Sequence, residues 1–137
     1  MNALEAAIFT KLAADSTLTG YLGGTAIYNG IAPQGASYPY VIFSATSEID
    51  NYTLAAEASQ EFLYTVKAVT KSPGGSPSRK SASQIDERCK AVLNNTTLTI
   101  SGKTLLSIRR ATGFKYDESA DGVLYHHVGA DYRIWTA

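Results

Sequence analysis

A chain of 137 residues, 45% of them hydrophobic, is sized for one domain with a real core. Its charges cancel, 12 Lys+Arg against 12 Asp+Glu, which argues against recognition of nucleic acid driven by phosphate charge. A single cysteine, Cys89, excludes an internal disulfide framework.

The first predicted element is a helix. Asn2 with Glu5 has the pattern of a capping box, and Leu4, Ala7, Ile8 and Leu12 follow at helical spacing. This segment lacks a basic start and is interrupted by Glu5, so it reads as a helix of the mature protein and not as a signal peptide. No apolar run approaches the ~20 residues that span a bilayer, and no membrane partner is expected. Asp15 and Ser16 can cap a short second turn, Ser16 to Leu22, closed by Gly23 and Gly24.

A short strand is expected around Ala26–Ile31, followed by a joint, Ala32 to Pro39, that carries two prolines and no charge. Prolines restrict φ and bias the preceding residue toward extended geometry, so this joint reads as a stiff corner presenting Gln34 and Tyr38. Tyr40, Val41, Ile42 and Phe43 are apolar on both faces, the mark of a strand inside its sheet. Glu61 to Thr70 is rich in β-branched and aromatic residues and reads as the next strand. Between them, residues 48–58 are acidic and weakly patterned, and read as a long, flexible loop with Tyr52 and Leu54 as candidate anchors and Asp50 as a further candidate interface residue. A second flexible loop is expected over 71–79.

Pro77 suits a first helical position, and Ser81 with Gln84 offers a second capping box. Ala82, Ile85, Cys89, Val92 and Leu93 then share one helix face, ended by Asn94 and Asn95. The C-terminal third reads as β: Thr97–Ile100 and Thr104–Phe114 around a tight turn at Ser101–Lys103, then Val123–Thr136 after a turn at Glu118–Gly122. The order is helix, three strands, helix, three strands. That is one α+β domain over residues 1–137, a single mostly antiparallel (mixed) sheet with an N-terminal helix and a second helix packed on it.

Few residues carry chemistry. His126 and His127 are adjacent in a strand and point to opposite faces, so they cannot chelate one metal together, and they read as surface or edge residues. Cys89 lies on the apolar helix stripe and reads as a small buried hydrophobe. Pro73–Ser81 resembles a phosphate loop only superficially, without the glycine spacing. Arg109 and Arg110 point oppositely, and Asp50, Glu57 and Glu61 have no partner that makes an acid/base pair. A pocket formed by Tyr125, His127 and Asp131 would favour a ligand-binding or enzymatic domain. The nine tyrosines are the stronger signal, because Tyr38, Tyr52, Tyr116 and Tyr125 fall in loops or on the second strand face, where tyrosine suits protein contact.

The order of these motifs is similar to a known family. An amphipathic helix leads into Tyr28, then Ala32-Pro33, then Pro39-Tyr40-Val41, and later come Asp86–Asn95 and a closing strand Tyr132–Thr136. Over nearly the whole chain this resembles the tail-completion, or tail-terminator, proteins of long-tailed bacteriophages and prophages. The resemblance implies a structural protein without catalytic residues or cofactor. It implies a homo-oligomeric ring, commonly sixfold, that caps the head-proximal end of the tail tube and offers a joining surface to neck or connector proteins. It places the protein in the host cytoplasm during assembly and at the head-proximal end of the virion tail afterwards. Another neck or head-completion component is the alternative within the same class.

Overall fold

The computed structural model describes residues 1–72 and 78–137. Helix α1 runs Ala3–Ala13, α2 Ser16–Leu22 and α3 Ser78–Leu93; the strands are β1 Ile27–Asn29, β2 Tyr40–Tyr52, β3 Glu57–Ser72, β4 Leu105–Ala120 and β5 Val123–Thr136. The caps form as their residue types dictate. Asn2 Oδ1 accepts from the Glu5 N–H at 2.9 Å, and Asp15 Oδ2 accepts from the Leu18 N–H at 2.9 Å. Gly23, at φ 73°, closes α2 in the left-handed conformation that glycine tolerates.

The strands make one sheet in the order β1-β2-β3-β5-β4. Only β1–β2 is parallel; β2–β3, β3–β5 and β5–β4 are antiparallel, so the sheet is mixed and the fold α+β. Phe62, Tyr64, Val66 and Ala68 of β3 alternate with half-buried neighbours and face the helices, as do Val128, Ala130, Tyr132 and Ile134 of β5. They join Ile8, Leu12, Leu18, Ile85 and Leu93 in one core, so the helices form a single layer on one face. Gly129 lets β5 lie tight against β3: a Cβ there would meet Val66 O at 2.4 Å.

Several sequence expectations change. Residues 48–58 are no long loop: β2 continues to Tyr52 and β3 begins at Glu57, joined by a turn in which the Thr53 N–H donates to Ala56 O at 2.7 Å. Thr97–Ile100 is not a strand; it is coil with one bridge, Ile100 to Lys103. α3 starts at Ser78, so Ser81 is inside it and caps nothing. The loop expected over 71–79 is bounded by strand at Lys71 and Ser72 and helix at Ser78 and Arg79, while Pro77 lies outside the described residues. The Glu118–Gly122 turn sits as expected and shrinks to Asp121-Gly122, at φ 52° and 76°, the pair of positive φ values that suits a tight hairpin.

Candidate interaction surface

The two hairpins project at opposite ends of the sheet. Register puts Tyr52 beside Glu57 at one end, and Ala120 beside Val123 at the other, where Tyr40 pairs with Val69. From Ala45 onward β2 is exposed, because neither β1 nor the helices reach it. Asp50, Tyr52 and Leu54 therefore share an exposed arm, Tyr52 at 69%. Glu48 and Asp50 lie two residues apart on one face, both accepting from the Gln60 side-chain amide at 3.2 and 2.8 Å. Residues 44–60 hold three carboxylates and no Lys or Arg, leaving the arm acidic.

Gln34 and Tyr38 stand at the other end. They line an open cleft of about 880 Å³ with Tyr40, Lys71 and Tyr125. The Tyr38 ring centre is 4.9 Å from Tyr40 and 5.6 Å from Tyr125, and Lys71 Nζ lies 5.6 Å above it. Tyr28 meets Tyr40 edge-on at 5.9 Å. Burial, then the Tyr38 hydroxyl, push the Tyr40 phenol up, so it stays protonated. The Tyr38–Pro39 peptide is cis. The five candidate residues thus fall into two groups: Gln34 with Tyr38, and Asp50 with Tyr52 and Leu54.

Both histidines are buried, His126 at 6% and His127 at 8%, which corrects the expectation of surface histidines. β5 lies inside the sheet between β3 and β4, and Tyr116 stacks on His127 at 4.5 Å with nearly parallel rings. Burial, then the Lys67 charge, hold the His127 pKa below its ordinary value. His126 Nδ1 meets Asp117 Oδ1 at 2.6 Å and its Nε2 meets Ser72 Oγ at 3.3 Å. The serine–histidine–aspartate order resembles a nucleophile relay. Asp117 is, however, shared with Arg79 of α3, and these two partners hold its carboxyl below its ordinary pKa. The cluster ties the ends of β3, β4 and β5 to the start of α3.

Tyr125, His127 and Asp131 form no common pocket: Tyr125 faces the cleft, His127 is under Tyr116, and Asp131 Oδ1 accepts from Thr65 Oγ1 at 2.7 Å. Cys89 is 2% exposed, and burial followed by Asp86 pushes its thiol up to about 12. Arg109 and Arg110 diverge as expected, and Arg110 reaches Asp86 of α3 at 2.9 Å, a buried ion pair that single-residue reading does not reveal. Among the described residues, no group of three or more His, Cys, Asp or Glu could hold a metal, and no helix is long and apolar enough to cross a membrane.

Residues 6–137 match the family described as tail completion protein gp17. The chain belongs to that family. A tail completion protein is a structural component of a phage tail. Among solved structures, a chain from the virion of a native gene transfer agent particle is similar at 20% identity, covering 97% of this chain and 95% of that one, with a TM-score of 0.73. A second solved protein is 14% identical over 96% of this chain and 93% of its own, with a TM-score of 0.59. At these identities the likeness speaks for the shared fold. No curated protein matches this chain.

Proposed function

We propose that this tail completion protein is the tail terminator: copies close into a ring, commonly sixfold, on the head-proximal end of the tail tube, stop its growth and offer the neck its joining surface. The observation that carries the reading is one sheet with two unlike projections at opposite ends, an acidic arm and an aromatic cleft. Unlike surfaces suit a head-to-tail contact, which closes into a ring when its rotation closes. Asp50, Tyr52 and Leu54 on the arm, and Gln34 and Tyr38 at the cleft, are the residues for contacts between copies or with tube and neck proteins. The neutral charge supports at most weak, non-specific contact with DNA passing through such a ring.

Solution mass over a wide concentration range, with negative-stain images of the same samples, tests this. Closed rings with a central hole, formed alone or on added tail tubes, are expected. A monomer at every concentration that leaves purified tubes uncapped overturns it.

A further inference from the structure

Two long stretches of sheet edge remain unpaired among the described residues, and they are complementary. β1 covers β2 only at Val41–Phe43, and the Gly30 N–H donates to Phe43 O just beyond, so Ala45–Tyr52 has one free edge. On the far side of the sheet, the Asn95 N–H donates to Ile108 O and Asn94 Oδ1 accepts from the Arg110 N–H, which covers the outer edge of β4 there. Beyond it, Ala111–Ala120 is free.

We infer that these edges pair with each other between copies: β2 Ala45–Tyr52 of one subunit adds in antiparallel fashion to β4 Ala111–Ala120 of the next. This rests on the ring reading and names its seam. Three observations select a second copy as the occupant. First, direction: β2–β3, β3–β5 and β5–β4 are each antiparallel, so β4 runs opposite to β2. Two copies in the same orientation present these edges antiparallel. Ala45–Tyr52 lies level with the first half of β3 and Ala111–Ala120 with its second half, so the second copy slides along the strands by about eight residues, roughly 27 Å, and the sheet continues across a staggered seam. Second, charge. Glu48 and Asp50 align with Phe62 and Gln60, and Lys115 with Val128; Phe62 and Val128 are buried under the helices, so all three charges stand on the helix-bearing side. None has an ion pair among the described residues. A β2–β4 seam sets the ammonium against the carboxylates, whereas β2–β2 or β4–β4 pairing sets like charges together. Third, the opposite side: Ile49, 51% exposed, and Tyr116, 48% exposed, share the bare face and supply apolar contact across the seam.

Within one copy β2 and β4 are separated by β3 and β5. Three strand spacings of about 4.8 Å put them roughly 14 Å apart, beyond disulfide reach. Ile49→Cys is therefore combined in turn with Thr112→Cys, Phe114→Cys and Tyr116→Cys, covering neighbouring registers. The native Cys89 is buried and stays inert. Under mild oxidation, at least one pair is expected to give a reducible ladder of covalent oligomers. Separately, Lys115→Glu is expected to raise the protein concentration needed for assembly several-fold, and Glu48→Lys with Asp50→Lys in the same chain to restore it. Rings by electron microscopy with no ladder from any pair, and Lys115→Glu assembling like the unaltered protein, overturn the seam and leave the ring standing. No rings from the unaltered protein, alone or on tail tubes, overturn the ring reading and the seam with it.

Discussion

At the scale of single residues, the sharpest consequences lie under α3. The Asp86–Arg110 pair is largely buried, with side-chain exposures of 7% and 20%. Removing one partner strands the other charge, so Arg110→Ala is expected to destabilise by about 3–5 kcal/mol, read from urea unfolding. Gly129→Ala would press a methyl into the β3 backbone at Val66 and Lys67, and about 1–3 kcal/mol of destabilisation is expected by the same measurement. Cys89 is expected to resist iodoacetamide in the native protein and to react fully once unfolded, as mass spectrometry would record. The Cys89 expectation was legible because a helix stripe announces its buried face. His126 and His127 were not: their burial comes from β3 and β4 on either side, with Tyr116 above His127 and Asp117 and Ser72 beside His126, contacts that the order of residues in one strand does not reveal.

At the scale of elements, the caps, the helical periodicity and the Asp121-Gly122 turn are local, and the elements they mark form where expected. What escaped the sequence is length and pairing. Glu48–Tyr52 has no apolar alternation because it has no core to face; it is strand because β3 pairs with it. Thr97–Ile100 has strand composition but only an isolated bridge for a partner, and stays coil. The candidate residues were legible as exposed polar and aromatic positions, but not as two groups, since only the antiparallel register sends the arm and the cleft to opposite ends. Hydrogen exchange should follow this division. The amides of β3 and β5 should be slowest, and the outward-facing amides of Ala45–Tyr52, those not bonded to β3, fast in the free subunit and protected in the assembled one. Equal protection in both states would remove this stretch from the seam.

At the scale of the whole molecule, acid should weaken the fold in two steps. His127 has a folded pKa below its usual 6.5, so the unfolded chain binds its proton more readily, and stability falls as pH drops below that value. Asp117 and Asp15 have carboxyls held below the usual 3.8, by His126 and Arg79 and by Arg88. Their stabilisation is present above that value and lost as pH falls below it. Thermal midpoints at fixed protein concentration should show both declines, and His127→Phe should flatten only the first.

The sheet has one further property, its parity. Apart from the short β1, each copy supplies four long strands, and their directions alternate. An even number leaves the two outer strands of a copy running in opposite directions. Every joint in a ring of such copies is then the same antiparallel joint, whether five, six or seven subunits close it. Strand polarity thus places no condition on subunit number. That number would be set by the twist each copy adds, and the bulges between Ala45 and Ser47 in β2 and between Arg110 and Thr112 in β4 stand where a change of twist would alter it.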